Sequence, residues 1–128
     1  RCYWERKIEM NVEIISIKDR GNLNKERLVL RVLSQCDIGM YFAFDTTYAQ
    51  DGNVSNLVRH PYWFPDKPVN SGDLVVLYTK EGRESEKENR NGTVSHFFYR
   101  DLSRTVWNTE QDCAVVFEIS DWESKNVK

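Results

Sequence analysis

Histidine and cysteine, the side chains that move protons or hold metals most readily near neutral pH, are scarce in this chain. It has two histidines, His60 and His96, and three cysteines, Cys2, Cys36 and Cys113. None stands in a metal-binding spacing such as HExxH or paired CxxC. His60 precedes Pro61 and an aromatic run, and His96 alternates with apolar neighbours in "VSHFFY". Both are expected to be structural, since a metal would also need a supporting shell of hydrogen bonds around its ligands. The chain also lacks GxSxG, a P-loop and GxGxxG. No cofactor is therefore expected, and no catalytic residue is nominated.

Carboxylates are plentiful, but Asp19, Asp51, Asp66, Asp73, Glu84, Glu86 and Glu88 fall in polar, loop-like stretches where a solvated surface explains them. A small hydrolase or nuclease with a loop-built acidic site would need some of them to converge, with Asp66, Asp73 and Asp112 first in line. A nucleic-acid-binding accessory domain would instead need Arg59, Lys67, Lys80, Arg83 and Arg100 on one face. Eighteen basic against twenty acidic residues leave a net charge of −2. Only weak, salt-sensitive nucleic-acid binding is expected from that balance.

The elements that must position these residues read as strands. The chain has 128 residues, 40% of them hydrophobic and 30% charged, which suits one globular domain. In "MNVEIISI", Met10, Val12 and Ile14 alternate with Asn11, Glu13 and Ile15. "RLVLRVL" groups Leu28, Leu30 and Val32, and "IGMYFAF" groups Ile38, Met40, Phe42 and Phe44. A strand from about Leu57 ends at Phe64, because Pro65 removes an amide donor. "LVVLYT" has both faces apolar, as in a strand at the centre of a sandwich. "TVSHFFYRD" and "DCAVVFEI" supply two more. The segment Lys80–Gly92 carries no large apolar residue and reads as an exposed, mobile loop of mixed charge. About seven antiparallel strands, with no long amphipathic helix, predict an all-β sandwich over residues 10–120. A short extension (1–9) would precede it and a polar tail (121–128) would follow.

The aromatics Tyr62, Trp63, Phe64, Phe97, Phe98, Tyr99 and Trp107 are expected to pack the core and the inter-sheet space. Cys36 and Cys113 resemble buried small hydrophobes. Three widely separated cysteines do not make a secreted disulfide framework. All three are read as thiols. "RCYWERKIEM" lacks the apolar centre of a secretory leader, and no apolar run reaches the ~20 residues of a membrane span. Cytoplasmic residence without membrane association is the expectation.

"YWFPDKPVNSGDLVVLYT" resembles the middle of the lamin tail domain family, where an aromatic "FP" strand end leads through a proline-bearing loop and a "GD" turn into an apolar strand. "ERLVLRV" is similar to an early strand of that family, and "RTVWNTEQDCAVVFEI" to its closing portion, in the same order. The segment "DIGMYFAFDTTYAQDGNVSN" and the charged insert before Thr93 depart from the family pattern. The resemblance covers roughly residues 11–119 and looks like a prokaryotic-type stand-alone member. It implies an immunoglobulin-like β-sandwich that serves as a protein-, nucleic-acid- or membrane-associated module, with no shared catalytic residue. The lamin rod is absent from this sequence. Residues and resemblance together predict a non-enzymatic interaction module that binds a protein through surface loops; Glu81–Asn91 serves recognition or nothing and is not needed for folding, and Asp45–Asn56 is the other place for the contact.

Overall fold

Alternating branched and aromatic residues build ten strands in the computed structural model, which describes residues 9–48 and 51–128. The strands are β1 (Val12–Lys18), β2 (Arg27–Val32), β3 (Cys36–Asp37), β4 (Tyr41–Thr47), β5 (Arg59–Trp63), β6 (Pro68–Val69), β7 (Leu74–Tyr78), β8 (Ser85–Glu88), β9 (Val94–Tyr99) and β10 (Asp112–Glu118). A five-stranded sheet in the order β1-β2-β7-β9-β8 packs against a three-stranded sheet in the order β10-β4-β5. The two-residue strands β3 and β6 form a separate small ladder. The result is an all-β sandwich, with ten strands rather than seven.

Three features depart from the sequence reading. First, β7 and β9 pair in parallel, from Leu74↔Ser95 to Tyr78↔Tyr99. The chain leaves β7, crosses the end of β9 and returns as the outer strand β8, and β9 then fills the gap between them. Gly82 makes this crossing possible, because a side chain there would run into the Tyr99 ring. Second, the segment read as a solvated loop contains β8, whose four residues are all exposed. Its order comes from the ladder to β9, from the Lys67–Glu86 ion pair (2.8 Å) and from Asn89, which bonds Thr93 and Ser95. None of these contacts leaves an apolar signature in the sequence. Third, a bulge at Ile15 shifts the β1 register, so that Ile17 rather than Ser16 faces Leu28.

The core holds Leu28, Leu30 and Val32 of β2, Tyr41 and Ala43 of β4, Val75 and Leu77 of β7, and Phe64, Phe98 and Trp107. Ile38–Met40 form a 3₁₀ turn ahead of β4. Phe42 and Phe44 share a side, as their spacing requires, but that side is the outer one. A turn at Asn70–Asp73 leads into β7, and Gly72 there takes φ 90°, which a β-carbon would oppose.

Glu26 fastens the sandwich at one end. It is fully buried, yet its carboxylate accepts the amides of Gly21, Val106 and Trp107 and the Thr79 hydroxyl at 2.6–3.3 Å. One side chain thus ties the β1–β2 turn to the end of β7 and to the strandless segment before β10. A buried carboxylate is tolerable only when its lone pairs are filled in this way.

Candidate functional site

Both histidines bond to a buried aspartate. Asp73 opens β7 and accepts the amides of Asn70 and Val94 at 3.0 Å each, while His96 Nε2 of β9 lies 2.9 Å away. Burial alone would raise the Asp73 carboxyl, but the His96 bond and the two amides outweigh it and hold the group below its usual range. On the other side of the imidazole, Nδ1 lies 3.6 Å from Glu86 of β8, and Glu86 is held low by Lys67. Both residues of the Asp73–His96 pair are buried, so it locks the β7–β9 pairing rather than meeting a substrate.

The second cluster centres on Asp45, near the end of β4. His60 Nδ1 lies 2.6 Å from its Oδ1, Arg59 Nε 3.4 Å from its Oδ2, and Arg100 Nη1 3.8 Å from Oδ1. His60 occupies the bulge in β5 with φ 51°, a left-handed conformation that turns its ring towards Asp45. Arg100 is buried between the sheets, donates to the His60 carbonyl and lies 5.3 Å over the Trp107 ring. Burial pushes its guanidinium down to about 10, against the pull of the Asp45 and Glu26 carboxylates. The His60 ring is 45% exposed. It is the one chemistry-capable group near solvent in either aspartate–histidine pair.

The three carboxylates that an acidic site would use first go to different places. Asp73 is occupied as described, and Asp112 opens β10, capping the Asn108 and Thr109 amides and facing Arg59. Asp66 packs against Gly39. Among the described residues no group of three His, Cys, Asp or Glu side chains is placed to hold a metal. The five basic candidates likewise do not line one groove. Arg100 is buried, Arg59 serves Asp45 and Asp112, Lys67 serves Glu86, Lys80 lies 5.1 Å over the Tyr78 ring, and Arg83 is exposed in the crossing from β7 to β8.

Cys36 and Cys113 are unpaired thiols, Cys36 part-buried and Cys113 buried, and Cys2 lies outside the described residues. Burial pushes both thiols up, with Asp37 and Glu118 adding for Cys36, and Asp112 and Asp45 for Cys113. That is the opposite of an activated nucleophile.

What sequence reasoning missed is the outer face of the three-stranded sheet. Phe42 pairs with Trp63 on one side and with Phe117 on the other, and Val115 lies opposite Phe44, so all five share that face. Phe42, Phe44 and Phe117 interlock with ring centres 5.0–5.7 Å apart. Trp63 is not the core residue expected. Its indole N–H donates to the Gly39 carbonyl at 2.7 Å, and its ring meets Trp122 edge-to-face at 5.2 Å. The tail is therefore not merely polar. Trp63, Phe117 and Trp122 are 50%, 47% and 59% exposed, and Tyr48, Leu57 and Val58 of the β4–β5 connection are exposed as well.

No helix among the described residues is long and apolar enough to cross a membrane. Comparisons with protein-family models, with curated proteins and with solved structures find no match for this chain.

Proposed function

We propose that this chain is a non-enzymatic interaction module that binds another protein. One contrast carries the reading: the buried ionisable groups hold the fold together, while large aromatic side chains stand in the open on one sheet. Glu26, Asp45, Asp73 and Arg100 each bridge separate elements, which leaves them unavailable for turnover. Trp63, Phe117 and Trp122 gather on one face, the kind of exposed apolar patch that marks an interaction site. The resemblance to the lamin tail domain family leans the same way, because it implies a recognition module without catalytic residues. Unpaired Cys36 and Cys113 fit residence in a reducing compartment such as the cytoplasm.

Site-specific photo-crosslinking tests the reading. A photoreactive residue at position 117 should join a defined protein in native extract, whereas one at Arg31, on the five-stranded sheet, should not. The crosslink should disappear in Trp63→Ser. Equal crosslinking from both positions would overturn the assignment. So would turnover of ester or phosphodiester substrates that disappears in His60→Ala.

A further inference from the structure

The sandwich has four sheet edges, and three of them are blunted. Edge strand β1 carries the bulge at Ile15. Strand β8 is four residues long and reads Ser-Glu-Lys-Glu. Strand β5 has Pro61 at its centre and the bulge at His60. Short, charged, bulged or proline-bearing edges are how β proteins avoid pairing with other chains. Strand β10 is charged only at its two ends, Asp112 and Glu118, and has none of the other devices. It runs seven residues, Asp112–Glu118, in unbroken register with β4 and contains neither proline nor glycine.

The free groups on this edge can be named. Tyr48 donates to the Gln111 carbonyl and the Ile119 amide donates to Met40, so the odd-numbered residues here exchange bonds with β4. By the alternation of an antiparallel ladder, the even-numbered residues turn their backbone outward. The Asp112 amide is taken up by Thr109. The amides and carbonyls of Ala114 and Val116 have no backbone partner among the described residues. Both residues are only part-buried, so water can reach this edge. Cys113, Val115 and Phe117 point to the aromatic face beside it.

We infer that β10 is a docking edge for an extended segment of another protein, apolar at its centre and basic at both ends, which adds to the three-stranded sheet as a fourth strand. This rests on the protein-binding reading and names the class of partner. Charge selects the occupant. A second copy of this chain pairing antiparallel through Val115 would set Asp112 opposite Glu118 twice, and like charges directly opposite destabilise a ladder. Asp121 and Glu123 add further negative charge just beyond β10. A segment with Lys or Arg at positions one and seven places a cation opposite each acidic end. Its alternate apolar side chains then extend the row of Cys113, Val115 and Phe117, the usual division of labour in strand addition.

The probe is a labelled synthetic peptide, KVTVTVK, compared with EVTVTVE and with KVTPPVK, whose two prolines remove the amide that would bond the Ala114 carbonyl in either strand direction. Fluorescence anisotropy should find the lysine-ended peptide binding at least tenfold more tightly than the glutamate-ended one, with no binding of the proline peptide. Hydrogen exchange gives an independent reading: the Ala114 and Val116 amides should exchange fast in the free protein and slow once the first peptide is bound. Val115→Lys should abolish binding, and Phe117→Lys, at a more exposed position, should do so without disturbing the fold. Equal binding of the two charged peptides, unchanged exchange at Ala114 and Val116, or dimerisation through β10 in sedimentation would overturn the inference. Binding that emerges only after removal of residues 1–8 would assign the edge to this chain itself and also overturn it. If crosslinks from position 117 persist while the peptides fail, this inference falls and the protein-binding reading stands.

Discussion

Asp73 meets three donors in the folded chain and none of them reliably in the unfolded one, so its behaviour in acid follows from its partners. Its carboxyl is held below the ordinary value of about 3.9, so the folded state binds that proton less readily than the unfolded state. The stability it contributes is present above the unfolded value and is lost as pH falls through the folded one. Stability should therefore drop as pH falls from about 4, and Asp73→Asn should flatten part of that slope. Asp51 and Glu86 are shifted the same way, by the Asn53 bonds and by Lys67 respectively, so some slope will remain in the variant. At neutral pH the substitution leaves buried donors unmatched, at a cost of about 2 kcal/mol or more. Urea unfolding at pH 3, 4, 5 and 7 checks both statements. Parallel pH profiles for variant and wild type would mean that Asp73 titrates alike in the two states.

Periodicity shows which residues share a side, but not which side is inside. That limit explains what could be read from the elements of this chain. β7 and β9 were legible because both faces of "LVVLY" are apolar and "VSHFFY" alternates cleanly. In β4 the pairing of Phe42 with Phe44 was legible too, yet the core takes Tyr41 and Ala43, on the side that also carries Asp45 and its partner Arg100. An aromatic in a strand looks the same whether it faces the core or a partner, so the exposed Trp63 face could not be read off. β8 was illegible for another reason: its bonds are backbone and charge contacts. Trp63→Ala should thus cost about 2 kcal/mol, roughly half the loss from a fully buried aromatic, because half of the ring is already in water. A loss above about 4 kcal/mol in chemical denaturation would place it in the core after all. Replacing Glu81–Asn91 with a short Gly-Ser linker should destabilise the fold. It removes the ladder beside β9 and uncovers Ser95 and His96, which are buried, so the melting temperature should fall by several degrees with the sandwich still folded. An unchanged melting temperature would return the segment to the status of a solvated loop.

At the scale of the whole molecule, net charge and the placement of the cations act together on any polyanion. The formal charge is −2, so the average field repels nucleic acid, and binding would have to come from a local concentration of Lys and Arg. Arg59 and Arg100 are engaged with the buried carboxylate of Asp45, Lys67 with the exposed one of Glu86, and Arg27 pairs with Asp19 at 2.7 Å. A phosphate would have to compete with those partners. A shallow cleft of about 470 Å³ is lined by Arg31, Arg90, Asn89, Asn91 and Thr93. It offers two arginines, and Arg31 already lies 3.6 Å from Glu13. Two cations neutralise too few phosphates for the six to ten contacts of a dedicated duplex binder. Labelled duplex DNA and single-stranded RNA should therefore bind with dissociation constants above roughly 10⁻⁵ M at 150 mM salt, and tighten only as salt is lowered. The slope of log affinity against log salt should be shallow, near that of about two released counterions, and Arg90→Glu should reduce it further. Submicromolar binding at 150 mM salt would reveal that the engaged arginines exchange their carboxylate partners for phosphate. Such a result would replace the proposed protein recognition with nucleic-acid recognition.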